Sequence, residues 1–162
     1  MDVSDRLRSA GLRVTASRLA VHDAVELTPH ADADAVLRAV RLKLGTASTQ
    51  GVYDALRVLT EQGLLRRIEP AGSPARYETR TGDNHHHVVC RSCGITGDVD
   101  CALDAAPCLQ ASNTHGFAID EAEVTYWGTC PGCLAAALTT TALTTAALPA
   151  AVLPTTTLQA AG

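Results

Sequence analysis

Aromatic side chains are scarce. One Phe, one Trp and three Tyr make up 3% of 162 residues, which argues against a protein that holds single strands by stacking bases on rings. The opening MDVSDRLRSAG is charged and lacks the apolar core of a secretory leader, so export is not expected and a cytoplasmic location is. Six cysteines are too few for a disulfide-built scaffold of this length. In a reducing compartment they point to metal or redox chemistry rather than structural bridges. Positive charge is nearly missing from the second half. Residues 81–162 carry one basic side chain, Arg91, against seven acids, whereas residues 1–80 carry twelve Lys and Arg against ten acids. Charge of either sign is absent from the final 29 residues, which are mostly Ala, Thr and Leu. Threonines, Pro149 and Pro154 argue against a membrane span there. Leucines about every five residues fit neither a helix nor a strand period, so 135–162 is expected to be a disordered, low-complexity tail.

What remains is 46% apolar and 19% charged, a globular balance. The net charge of −4 divides into a slightly basic first half and an acidic half rich in Cys and His. That asymmetry suggests nucleic acid as the partner of the first part and metal cations as that of the second.

Residues 1–82 read as helices followed by a hairpin. A short amphipathic helix covers Asp5 to Ala10. Thr15 caps a helix to about Leu27, Pro29 and His30 break it, and Asp32 caps a second that Gly45 ends. Ser48 caps a third, STQGVYDALRVLTEQ, ended by Gly63. LLRRIEP and ARYETR, joined by AGSP, read as two strands around a turn. Together these elements predict a winged helix with a hinge at its end. The third helix would enter the major groove, and Arg66, Arg67 and Arg76 on the wing would approach phosphates.

Residues 83–134 form a second, smaller unit, with strands in HHHVVC and FAIDEAEVTYWG and a helical piece from about Leu103 to Thr114. It is too small for a generous core, so a metal staple or a dimer partner is expected. The fold class is thus α+β: an N-terminal winged-helix DNA-binding domain followed by a small α/β dimerisation domain.

Cys90-x-x-Cys93 and Cys130-x-x-Cys133 are two knuckles separated by 36 residues. Each points two sulfurs at one centre, and the pair completes the tetrahedron of a structural Zn²⁺. The competing readings are a redox disulfide or four core cysteines. A second centre is suggested by the histidine run. Strand alternation puts His85 and His87 on one face and His86 on the other. With Glu78, Asp98 and His30, they would bind Fe²⁺, Mn²⁺ or Zn²⁺ and bridge the two units, so that metal fixes the angle of the DNA reader.

GLRVTASR at 11–18, STQGVYDALRVL, RYETRTGDNHHHVVCRSCG at 76–94 and YWGTCPGC at 126–133 carry a specific resemblance. Over residues 4–134 the chain resembles the Fur family of metal-dependent bacterial repressors. It looks most like the actinobacterial FurA/CatR branch, peroxide-responsive and PerR-like, whose members are associated with catalase or catalase-peroxidase genes. The resemblance implies a homodimer on double-stranded operator DNA and no enzymatic activity. It places structural Zn²⁺ on Cys90, Cys93, Cys130 and Cys133, and the regulatory Fe²⁺ or Mn²⁺ on His30, Glu78, His85, His87 and Asp98. It implies that Tyr53 meets a base edge, Arg13 the minor groove and Arg18 a phosphate. The full candidate DNA set is Arg13, Arg18, Ser48, Thr49, Gln50, Tyr53, Arg57 and Arg76. Two departures stand out: Asp54 where many members have Arg, and Ala122 and Asn84 where some members ligate a further metal. His86, with Glu121 or Glu123, is the remaining candidate for that third site. For redox sensing, the resemblance points to oxidation of His30 or His85. The thiols outside the knuckles, Cys101 and Cys108, offer a rival switch. Metalloenzyme chemistry is the reading from another class, and it is disfavoured because no nucleophile–base pair is visible.

Overall fold

Side-chain capping fixes the start of three of the first four helices. The computed structural model describes residues 2–101, 109–120 and 122–146. Helix α1 spans Val3–Ser9 and α2 spans Ala16–Leu27, where the Thr15 hydroxyl accepts from the Arg18 N–H. Strand β1 is the pair Ala31–Asp32, and α3 spans Ala33–Leu44. The Asp32 carboxylate accepts from the Ala35 N–H, and Gly45 ends α3 at φ 76°, a left-handed turn that glycine enters without a Cβ clash. Helix α4 spans Thr49–Glu61, with the Ser48 hydroxyl accepting from the Gly51 N–H. Each cap satisfies one of the N–H groups that a helix start leaves unpaired.

These helices close on one another through aliphatic side chains. Leu7, Val21, Val25, Val36, Val40, Val52, Leu56 and Leu59 are all at most 1% exposed. Each contributes about 1.5–3 kcal/mol of burial, and together they seat α4 with its polar face outward. Strands β2 (Arg66–Ile68) and β3 (Arg76–Glu78) form the expected antiparallel wing. The two-residue β1 adds to the other edge of β3, giving the order β1-β3-β2. The sequence gives no signal for so short a strand; pairing with β3 creates it.

The second unit is a sheet of order β5-β4-β6, made of β4 (His85–Cys90), β5 (Thr96–Asp100) and β6 (Thr125–Gly128). β5 runs antiparallel to β4 and β6 parallel to it. Two registers matter for function: His87 lies opposite Asp98, and Cys90 lies opposite Gly128.

Three expectations need correction. FAIDEAEVTYWG supplies a strand only over Thr125–Gly128; the described residues before it are irregular. The helix expected from Leu103 to Thr114 is absent from 109–114, which are exposed and irregular, and its first part lies outside the described residues. The tail expected to be disordered from 135 begins as helix: α5 spans Pro131–Ala146. Pro131 suits a first helical turn, and the Ala and Leu that follow are strong helix formers, which outweighs the irregular leucine spacing. Residues 147–162 lie outside the described residues. None of the helices among the described residues is long and apolar enough to cross a membrane.

Candidate metal centres

The four knuckle cysteines converge. Their sulfurs all lie within 4.8 Å of one another. The β4–β6 register accounts for this, because Cys90 ends β4 beside the exit of β6, which leads directly to Cys130. The Cys130 N–H donates to the Cys90 sulfur at 3.3 Å, and the Cys133 N–H to the Cys130 sulfur at 3.5 Å. Cys93 and Cys130 sulfurs are 3.7 Å apart. A metal–sulfur bond near 2.3 Å gives tetrahedral edges of about 3.8 Å, whereas a disulfide needs about 2.05 Å. Backbone N–H groups, that of Cys130 first, pull the Cys90 thiol down to about 6. Hydrogen bonding with the Cys130 and Cys93 thiols pushes Cys133 up to about 12. Four soft donors at tetrahedral spacing fit Zn²⁺.

The five expected side chains come from β3, β4, β5 and the α2–β1 turn: ligating atoms of His30, Glu78, His87 and Asp98 all lie within 4.8 Å of one another, and His85 joins them through Glu78. His30 occupies that turn in the left-handed region, φ 62°, which is sparsely populated for residues other than glycine. Two bonds hold it there. Its N–H donates to the Tyr77 carbonyl at 2.8 Å, and its own carbonyl accepts from Arg76 Nη1 at 3.0 Å. His30 Nε2 then stands 3.1 Å from Glu78 Oε2 and 2.7 Å from Asp98 Oδ1. His87 Nε2 is 3.1 Å from the same Glu78 oxygen, and His85 Nε2 is 3.0 Å from Oε1. Asp98 Oδ1 lies 3.7 Å from His87 and 3.9 Å from His85. Glu78 is the hub, at 1% exposure. Burial works against its charge, but hydrogen bonds to His30 and His87 outweigh it and hold the carboxyl at about 2. His30 is raised: burial lowers it, and Glu78 and Asp98 more than compensate. Two carboxylates and three imidazoles make a nitrogen–oxygen donor set suited to Fe²⁺ or Mn²⁺.

His86 points to the other face of β4, 6.4 Å from the Tyr126 ring between centroids. Among the described residues no group of three or more ligating side chains forms around it, and Glu121 lies outside them. Cys101 is a buried free thiol after β5; its candidate partner Cys108 lies outside the described residues.

The candidate DNA residues divide. Arg13, Ser48, Thr49, Gln50, Tyr53 and Arg57 are exposed. Thr49, Gln50, Tyr53 and Arg57 line one face of α4, a concavity of about 770 Å³ shared with Arg67. Arg18 instead donates to the Arg13 carbonyl at 2.7 Å. Arg76 turns inward to brace His30 rather than outward from the wing. Two further residues at the metal centre escaped the sequence reading. Asp83 Oδ1 is 2.9 Å from His85 Nδ1, and Arg80 pairs with Asp83, Asp98 and Asp100. The available signal was an acid two residues before His85, on the segment that joins the two units.

Residues 9–127 match the model of the ferric uptake regulator family. The transcriptional regulator FurA of Mycobacterium tuberculosis is 58% identical over 132 residues, covering 82% of this chain and 90% of the relative. Ferric uptake regulation protein 1 of Mycolicibacterium fortuitum is 61% identical over 129 residues, 80% of each chain. The crystal structure of the Campylobacter jejuni peroxide stress regulator superposes with a TM-score of 0.59 at 26% identity, covering 82% of this chain and all of that one. The family match spans the α4 face, the His/carboxylate centre and the first cysteine knuckle, and the chain belongs to the ferric uptake regulator family of metal-dependent, DNA-binding transcriptional regulators, which act as dimers and are not enzymes.

Proposed function

We propose that this chain is a peroxide-responsive repressor that binds operator DNA as a dimer. Cys90, Cys93, Cys130 and Cys133 hold structural Zn²⁺, and His30, Glu78, His85, His87 and Asp98 hold regulatory Fe²⁺ or Mn²⁺. The supporting observation is the makeup of the second centre: His30 and Glu78 come from the winged-helix unit, His85, His87 and Asp98 from the sheet unit. A cation held by both sets favours one relative placement of the two units, and so one spacing of reading helices in a dimer. The exposed face of α4 then supplies Tyr53, Gln50, Thr49 and Arg57 to the major groove, with Arg13 beside it. Such work on DNA belongs in the cytoplasm, and genes of the catalase class are the targets that the FurA/CatR resemblance implies.

Fe²⁺ at this centre would catalyse transfer of one peroxide oxygen to a neighbouring imidazole, which gives up two electrons while the other peroxide oxygen leaves as water. The family resemblance assigns that role to His30 and His85, whose Nε2 atoms lie 3.1 and 3.0 Å from Glu78. Loss of either imidazole as a ligand uncouples the two units and releases DNA. A second reading, an iron-responsive repressor of uptake genes, is favoured by the ferric-uptake name of the 61%-identical relative.

Peptide mass spectrometry after brief peroxide exposure separates the two. Fe²⁺-loaded protein should gain one oxygen on the peptide carrying His30 or His85, and a Mn²⁺-loaded control should not. Unmodified histidines would refute peroxide sensing at this centre. If Fe²⁺ were nonetheless required for DNA binding, the iron-responsive reading would stand.

A further inference from the structure

The joining segment between Glu78 and His85 carries two side chains that the family reading leaves unused. Asp83 faces the side of the His85 ring opposite the metal centre: Nδ1 is 2.9 Å from Asp83 Oδ1, while Nε2 is 3.0 Å from Glu78 Oε1. A carboxylate only accepts, so the His85 proton on that side must sit on Nδ1. With the Nδ1 proton held by Asp83, it is Nε2, facing Glu78, that would give up its proton and offer a lone pair to a bound cation. Asp83 does not stand free. Its other oxygen is taken by Arg80, whose guanidinium also bonds Asp100 at 2.7 Å and lies 3.6 Å from Asp98. Arg80 therefore touches both the residue behind His85 and one of the five converging side chains, from within the segment that links the units. Asp83 thus accepts on both oxygens, from Arg80 on one and from His85 on the other.

We propose that Asp83, clamped by Arg80, is a positioning residue of the regulatory metal centre: it fixes the ring orientation and tautomer of His85, and through Arg80 it ties the joining segment to the state of that centre. This rests on the reading of the His/carboxylate cluster as a metal site. Ligating imidazoles are generally oriented by such outer carboxylates, and losing one typically weakens metal binding by about 10–100-fold.

The isosteric change Asp83→Asn is the informative test. Arg80 can only donate, so it claims the amide oxygen, and the amide NH₂ then faces His85 Nδ1. That arrangement moves the ring proton to Nε2, the atom needed for the metal, with almost no change in shape. Asp83→Asn and Asp83→Ala are each expected to bind Mn²⁺ about 10–100-fold more weakly by calorimetric titration. In Co²⁺-loaded protein, the visible ligand-field bands should move. Zinc content and the far-ultraviolet circular dichroism spectrum should stay as in the parent, since Asp83 is 41% exposed and precedes the start of β4, whose other end carries Cys90. Removing the competing donor in Arg80→Ala/Asp83→Asn should restore affinity toward that of Arg80→Ala alone. Mn²⁺ affinity within about twofold of the parent in Asp83→Asn, with unmoved Co²⁺ bands, would overturn the positioning role while leaving the metal site intact. A parent protein whose Mn²⁺ binding is indifferent to His87→Ala would overturn the metal-site reading itself, and this inference with it.

Discussion

His22 and His87 are both enclosed, at 3% and 1% exposure, yet they serve opposite ends. The His87 ring meets Glu78 in a polar cluster built around a shared centre. Among the described residues neither ring nitrogen of His22 has a hydrogen-bond partner; Glu26 comes only to 3.9 Å of Nδ1. Burial lowers the His22 pKa below the usual 6.5, with Glu26 and Asp23 pulling it up and Arg6 adding to the fall. An unpaired buried polar group costs about 1–3 kcal/mol. Replacing the ring by a similar-sized apolar side chain should recover part of that. His22→Leu is expected to raise stability at pH 7 by about 1 kcal/mol, measured by urea denaturation. The pH dependence should change as well. Below about pH 6.5 the unfolded chain takes up a proton that folded His22 refuses, so the parent loses stability as pH falls through that range. His22→Leu should lose less between pH 7 and pH 5. An equal loss in both proteins would mean that folded His22 takes up its proton as readily as the unfolded chain does. In a sequence His22 looks no different from His30; only the packing of α2 shows that one is an orphan and the other belongs to a cluster.

At the scale of elements, legibility followed how local the causes were. Thr15, Asp32, Ser48 and Gly45 could be placed from the chain alone because a cap is set by residues three or four apart. The period-two reading of HHHVVC was equally local, and it separated His86 from His85 and His87 correctly. Strands β1 and β5 were missed because partners make them. Ala31–Asp32 extends only because β3 lies alongside, and TGDVD lacks apolar alternation but pairs fully with β4. The α4 cap offers a direct check. Ser48 Oγ sits so close that a Cβ on Gly51 would approach it to 2.9 Å, and the Gly51 N–H bonds it at 3.0 Å. Ser48→Ala should cost about 1 kcal/mol of stability, and Ser48→Gly only a few tenths. If the two variants denatured at the same urea concentration, the hydroxyl would not be acting as a cap. The order Ala worse than Gly distinguishes capping from loss of a DNA contact, which would leave stability in the absence of DNA untouched.

The whole molecule depends on a cluster that no single unit can complete. The spacing of the two knuckles alone indicated the cysteine tetrahedron. The second centre was legible only as a set of residue types, because its assembly needs β1 to hold His30 against β3 and β5 to set Asp98 opposite His87. Its stabilising effect is therefore a property of the joined units. A cation bound only by the folded, joined form stabilises by RT ln(1 + [L]/Kd), about 2.7 kcal/mol at a hundredfold excess over Kd. Adding Mn²⁺ to zinc-loaded protein should therefore raise the thermal midpoint and protect the 79–84 segment from proteolysis. Each effect should grow with concentration and reverse on mild chelation that leaves the thiolate-bound zinc in place. His87→Ala should abolish both responses while retaining zinc, because it removes one side chain of the cluster from the sheet unit alone. A midpoint that rises with Mn²⁺ while the joining segment stays equally cleavable would mean that metal stiffens one unit without coupling it to the other. In that case DNA affinity would not follow metal occupancy. Protection that tracks occupancy, lost in His87→Ala, would show that the ion acts on the angle between the DNA-reading helices and the sheet.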